Sequence, residues 1–158
     1  MTDVDLTGAF LLSQAIGKRS MIPAKWGRIV NVASIAGLMG QDPRIVRTIA
    51  YNASKGGLVN FTRALAAEWG AYGITVNAIC PGYTATPMLE RTVGMLVGKT
   101  GRSEADARKF LADVNTDGRI VEPEEVAAIV LRLCAEGSEK TTGQAIPLPE
   151  RWGETAYA

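Results

Sequence analysis

The sequence predicts an α/β protein, a parallel sheet covered by helices. Three observations carry that prediction. The runs "RIVNVAS" at 28–34 and "GITVNAIC" at 73–80 are short, apolar and rich in β-branched residues, the pattern of buried strands. Longer stretches with apolar residues at helical spacing lie around them. The resulting order, helix–strand–helix–strand–helices–strand, belongs to a parallel sheet with helices on its faces.

The elements follow in turn. Residues 5–22, "DLTGAFLLSQAIGKRSMI", read as a helix with Leu6, Phe10, Ser13 and Gly17 on one flank. Pro23 and the "KWG" turn at 25–27 end it. The strand at 28–34 comes next, and residues 35–48 read as a loop. A second long helix is expected over 49–68, where Leu58, Phe61, Leu65 and Trp69 recur at helical spacing and Gly70 and Gly73 provide the stop. The strand at 73–80 closes at Pro81-Gly82. Residues 88–97 and 103–113 read as helices. So does "EPEEVAAIVLRLCAE" at 122–136, with an acidic first turn, a proline at its start and an apolar stripe behind. A short last strand, "GQAIPL", precedes a polar and aromatic tail. A complete doubly wound sheet would open on a strand and a glycine-rich phosphate turn. This chain opens inside a helix, so the expected architecture is a partial doubly wound sheet without its amino-terminal βαβ half, in one incomplete domain over 1–158.

Composition narrows function by exclusion. The 158 residues are 47% hydrophobic and 21% charged, as in an ordinary globular domain, and the net charge is +1. No charge block favours nucleic acid or an anionic membrane surface. No apolar run approaches the roughly 18 residues of a membrane span, and no signal-peptide pattern opens the chain. Cys80 and Cys134 fit no metal spacing and are expected to be buried free thiols in a reducing cytoplasm. The chain has no histidine. That removes Ser-His-Asp and Cys-His catalysis and leaves acid/base work to Tyr, Lys, Cys or carboxylates.

The segment "YNASK" fits that gap. On a helix, Tyr51 and Lys55 lie one turn apart on one face, a phenol beside an ammonium. Tyrosine ordinarily titrates near pH 10 and is a poor base at neutral pH. A cation within roughly 4–6 Å favours the phenolate, so Lys55 is expected to lower the pKa of Tyr51. Alone, a Tyr-x-x-x-Lys spacing describes many solvated helix surfaces. Its surroundings add weight. Ser34 ends one strand, and Thr84 and Thr86 follow the next in "PGYTAT", all at the carboxyl edge where such sheets bind ligands.

At these residues the chain resembles the short-chain dehydrogenase/reductase family. The matching pieces are "VDLTGAF", "GRIVNVASIAG", "YNASKGGLVNFTRALAAEWGAYGITVNAICPGYTATPM", "EPEEVAAIVLRLCA" and "TGQAI", in family order from Val4 to Ile146. The resemblance implies a Rossmann-like fold and an oxidoreductase that exchanges hydride between NAD or NADP and a carbonyl or secondary alcohol. It makes Tyr51 the general acid/base, with Lys55 lowering its pKa and holding the nicotinamide ribose. Ser34 becomes a hydrogen-bond donor to the substrate oxygen. Asn31 shapes the sheet edge below, Pro81 and Gly82 pass close to the nicotinamide, Thr86 touches its carboxamide, and Thr84 joins the cofactor-binding residues. Residues 88–118 become the segment covering the substrate. The helices at 5–22 and 49–69 become the pairing surface of a homo-oligomer, with Gly56, Gly57, Ala64 and Ala67 permitting close approach.

The chain departs from the family in three places. Segments corresponding to the amino-terminal strand, the glycine-rich phosphate loop, the residue that selects NAD or NADP, and the "NNAG"-type stretch have no match. Asp5 stands where the family carries a catalytic asparagine, placing a carboxylate near Lys55. "PLPERWGE" replaces the usual glycine pair after the last strand. The expectation is therefore an exposed edge on the strand at 28–34 and weak or absent dinucleotide binding and activity by this chain alone. A non-catalytic remnant or oligomerisation module of the family is the alternative.

One competing motif is present. "DVNTDGRIVEPE" fits a calcium loop with Asp113, Asn115, Asp117, Gly118 and Glu124, but Pro123 and Val121 sit badly in it and no second loop pairs with it. No metal site is expected. For substrate, the hints divide. Met88, Leu89, Val93, Met95, Leu96 and Val97 favour a hydrophobic or acyl molecule, whereas "VASIAGLMGQDPRIVRTIAYNASKGG" resembles the sugar-acid and polyol members.

Overall fold

A computed structural model describes residues 2–40 and 48–149. Three parallel strands, β1 (Gly27–Val32), β2 (Ile74–Pro81) and β3 (Ala145–Leu148), form a sheet in the order β1-β2-β3. The register pairs Gly27 with Ile74 through Val32 with Ile79, and Ala78 with Ala145 through Pro81 with Leu148. The strand order and the parallel pairing are those of a partial doubly wound sheet.

Side chains of a strand alternate between faces, so the register sorts the core into two layers. On one face Ile74, Val76, Ala78 and Cys80 meet Leu58, Val59, Leu65 and Ala66 of helix α2 (Ile49–Trp69). On the other, Ile79 and Leu148 meet Ile129 and Leu133 of helix α5 (Pro123–Cys134). β2 is buried on both faces, Thr75 and Asn77 included. β1 has no partner beyond β2 among the described residues, and it is only partly buried, with Val32 51% exposed. β1, expected as a buried strand, is thus less buried than its sequence suggests.

Helix α1 occupies residues 3–24, longer than the expected 5–22. It runs unbroken through Asp3–Thr7, Gly8–Ile16, Gly17–Met21 and Ile22–Ala24, and Lys25 ends it in the left-handed region at φ 50°. Two of its turns are widened: the Gly8 N–H bonds the Asp3 carbonyl and the Ile22 N–H that of Gly17, each five residues back. α1 lies on α2 because two glycines let it. A Cβ on Gly17 would sit 2.1 Å from the Trp69 ring, and one on Gly57 would sit 2.9 Å from Leu6 Cδ2. Gly57 and Gly56 make close contacts within the chain, Gly56 lying beside the Gly37 carbonyl. Ala64 and Ala67 are exposed.

After β2, helices α3 (Pro87–Thr100) and α4 (Glu104–Val114) form a hairpin around Leu89, Val93, Leu96, Ala107 and Leu111. α3 outruns its expected 88–97 at both ends, α4 lies one residue later than the expected 103–113, and α5 stops at Cys134 before the expected 136. Most of the expected apolar substrate face is thus hairpin core. Met88 and Met95, by contrast, are 59% and 49% exposed. α5 starts on a capping box, in which Glu122 and Glu125 each accept from the other's backbone N–H.

Buried amides fasten the loops. Asn77 on β2 donates to the Thr141 carbonyl at 2.8 Å and accepts from the Gln144 N–H at 3.1 Å, setting the entry to β3. Asn115, 2% exposed, accepts from the Tyr83 N–H and donates to the carbonyls of Tyr83 and Arg119. Its side chain is therefore committed to joining two loops. Asp113 pairs with Lys109 and Asp117 with Arg119, so the calcium-like spacing is occupied by other contacts. No three His, Cys, Asp or Glu side chains cluster among the described residues in a way that could hold a metal. No helix among them is long and apolar enough to cross a membrane. Cys80 is buried, but Cys134 is exposed at the end of α5, contrary to expectation, because it lies off the apolar stripe that carries Ile129 and Leu133. The loop expected at 35–48 begins with a 3-10 turn, Ile35–Gly37; residues 41–47, and the tail from 150, lie outside the described residues.

Candidate active site

The carboxyl ends of β1 and β2 open into a cavity of about 1090 Å³. Ser34, Tyr51 and Lys55 line it, as do Asp5, Pro81, Gly82, Thr84 and Thr86. Asn31 does not. Its side chain faces α2, donating to Thr62 Oγ1 at 2.9 Å, so it ties the strand to the helix that carries Tyr51 and Lys55.

Local structure fixes each group. β1 ends at Val32, and Ser34 then caps the Ile35–Gly37 turn, its Oγ accepting from the Ala36 N–H at 3.1 Å. That turn presses on α2 where only glycine fits, since a Cβ on Gly37 would lie 2.7 Å from the Lys55 carbonyl carbon and oxygen. The serine is thereby held on the cavity wall that Tyr51 also lines. Lys55 Nζ donates to the Val32 carbonyl at 3.0 Å and stands 5.7 Å from the centre of the Tyr51 ring. Its closest anion is Asp5, whose Oδ1 is 3.6 Å away. The Ser54 hydroxyl lies 3.2 Å from Asp5 Oδ2 and 2.9 Å from the Tyr51 carbonyl oxygen.

The electrostatics differ from the sequence expectation. Tyr51 titrates above its ordinary 10.0, not below. Burial is the largest cause; the Ser34 hydrogen bond opposes it, and the negative charge of Asp5 adds to it. Asp5 beside Lys55 offsets the field that the ammonium was expected to supply. Tyr51 is thus a neutral phenol at pH 7, equipped to give a proton. Two neighbours are also neutral there: burial lifts Tyr83 to about 12 and Cys80 to about 11.

The threonines show what they can offer a ligand. Thr84 Oγ1 donates to the Gly82 carbonyl at 3.1 Å and Thr86 Oγ1 to the Thr84 carbonyl at 3.2 Å. Their hydroxyl protons are used within the loop, leaving oxygen lone pairs toward the cavity. Such acceptors suit an amide NH₂. Sequence reasoning missed Asn115 as the residue that fixes this loop through Tyr83; a buried amide inside a polar, turn-like stretch gives no sign of its burial.

The family model described as "Enoyl-(Acyl carrier protein) reductase" matches residues 1–148, and the chain belongs to the short-chain dehydrogenase/reductase family. Among its relatives, galactitol 2-dehydrogenase of Rhizobium johnstonii is 40% identical over 146 residues, covering 90% of this chain and 51% of that protein. A structure of a single-site variant of actinorhodin polyketide ketoreductase with NADPH superimposes with a TM-score of 0.82 at 37% identity, covering 91% of this chain and 54% of that one. A 3-oxoacyl-[acyl-carrier protein] reductase from Brucella melitensis with bound NAD gives 0.74 at 33% identity, covering 93% and 48%. The chain spans about half the length of the curated relatives it matches.

Proposed function

We propose that the site reduces a carbonyl to a secondary alcohol, using a nicotinamide cofactor and Tyr51 as the proton donor. The observation that carries this reading is the convergence of Ser34, Tyr51 and Lys55 on one cavity, around a phenol that stays protonated at neutral pH. Ser34 and Tyr51 together hold the carbonyl oxygen, polarising it toward the charge it gains. Tyr51 then gives its proton to that oxygen. Lys55 keeps the ribose end of the cofactor and the ring of Tyr51 in register.

The cavity residues fit the nicotinamide end of NAD or NADP. Thr84 and Thr86 would accept from the carboxamide, Pro81 and Gly82 would flank the ring, and the Lys55 ammonium would donate to the ribose hydroxyls. When bound, that group supplies hydride and its electron pair to the carbonyl carbon. No match to the family's phosphate loop occurs in these 158 residues, so the chain alone holds the dinucleotide weakly and turns over slowly. The relatives' names divide between acyl and polyol substrates. Met88, exposed on the cavity wall, favours a ketone with an apolar arm. The setting is a reducing cytoplasm, in keeping with two unpaired cysteines.

The exposed apolar residues of α1, Phe10, Leu11, Leu12 and Ile16, at 41% to 62% exposure, support a homo-oligomer built on α1 and α2. They also favour the second reading, a pairing module without catalysis. The two are separated by following NADH and NADPH absorbance at 340 nm with 3-oxoacyl thioesters and with keto-sugars. Carbonyl-dependent oxidation of either cofactor supports the enzyme; none, from a folded oligomer, favours the module.

A further inference from the structure

We propose that Asp5 is a positioning residue that restrains the charge of Lys55 and so keeps Tyr51 a proton donor, biasing the site toward carbonyl reduction and away from alcohol oxidation near neutral pH. The inference rests on the assignment of Tyr51 made above. Its basis is the geometry of three side chains on two helices. The Asp5 carboxylate and the Lys55 ammonium are 3.6 Å apart, with only 21% and 12% of their side chains exposed. At that burial the pair is poorly screened by salt, and each charge acts on whatever lies beside it. What lies beside it is the phenol of Tyr51, whose ring centre is 5.7 Å from the ammonium.

Asp5 is held in place. It lies in the widened first turn of α1, closed by the Gly8 N–H on the Asp3 carbonyl, and Ser54 of α2 offers it a hydroxyl at 3.2 Å. Lys55 alone would stabilise the phenolate. The carboxylate opposes it twice, by offsetting the ammonium and by repelling a second anion directly. The other titratable groups near the phenol do not replace this effect. Among the described residues, β2 contributes Cys80 and the loop after it Tyr83, both neutral at pH 7. α3 contributes Arg91 at the cavity wall, and α2 places Arg63 two turns beyond Lys55, where it acts on Cys80. Among the described residues that line the cavity, Asp5 is the carboxylate.

The consequence is directional. In reduction, Tyr51 gives its O–H proton to the carbonyl oxygen while hydride from the reduced nicotinamide adds to the carbon, leaving an alcohol, an oxidised nicotinamide and a phenolate that solvent reprotonates. Oxidation runs these transfers backward and needs the phenolate first. A site that disfavours the phenolate reaches that form only at alkaline pH.

The test is the titration of Tyr51 itself, followed by the ¹³Cζ resonance of labelled tyrosine and assigned by its loss in Tyr51→Phe. Neither cofactor nor turnover is needed. The midpoint should lie above 10 in the unmodified chain, fall in both Asp5→Asn and Asp5→Ala, and stay high in Asp5→Glu, with circular dichroism confirming the fold of each. Should one of the two neutral variants fail to fold, the other carries the comparison. An unchanged or higher midpoint in the neutral variants overturns the proposal. A lower midpoint in a chain that reduces no carbonyl supports the charge relation and overturns the functional reading alone. In a chain that turns over, the pH at which alcohol oxidation sets in should move down with the midpoint.

Discussion

Tyr51 and Cys80 show how burial overrules local pattern. The spacing of Tyr51 and Lys55 was legible because i and i+4 meet on any helix. The direction of the phenol's shift was not, because it depends first on the burial of Tyr51 in the folded chain and then on Asp5, 46 positions earlier in sequence and next to Lys55 in space. Cysteines give a second residue-scale test. Cys80 is 0% exposed and titrates at about 11, so its thiolate is scarce at pH 8, whereas Cys134 is exposed. A thiol reagent at pH 8 should therefore label one cysteine rapidly, at position 134, with the second reacting only on unfolding; fast labelling of both would refute the burial of β2.

Helices and loops place these residues, and their caps and amides predict how they fail. Asn115 bonds three backbone groups across two loops. Asn115→Ala should cost about 1–3 kcal/mol in denaturant unfolding, since buried partners lose their bonds, and should loosen the Thr84–Thr86 side of the cavity. Glu125 caps α5 and pairs with Arg119, and these hold its carboxyl at about 2 instead of 4.5. A carboxyl lowered in the folded state stabilises above its unfolded value and ceases to as pH falls through the folded one. The contribution should thus fade from pH 4.5 toward 2, and Glu125→Gln, whose amide can still cap, should narrow the drop in Tm over that range. The pair is exposed, so added salt should reduce the difference. Helix periods and the proline start and acidic first turn of α5 were readable in sequence, because they are local. Close contacts such as Gly57 with Leu6 were not, because a glycine does not name its neighbour.

The sheet sets what the whole molecule can do. β2 is central and wholly buried, whereas β1 presents an edge among the described residues. Ile79, 0% exposed beneath α5, is a fair probe of that core: Ile79→Ala should cost about 2–5 kcal/mol by chemical denaturation. Parallel pairing and the cavity at the strand ends followed from the element order, since parallel strands joined by helices bring their carboxyl ends to one side. The partial exposure of β1 did not follow from its own residues, whose β-branched pattern reads as a buried strand. It came from the family resemblance, which left that strand without a neighbour. The central claim is that this sheet edge presents Tyr51 as the acid for a carbonyl. Its most direct measurement is kcat/KM for nicotinamide-dependent ketone reduction at pH 7, in the chain and in Tyr51→Phe, with matching circular dichroism. The account predicts a loss of about 10²- to 10⁴-fold, the usual worth of a general acid; equal rates in the two proteins would contradict it.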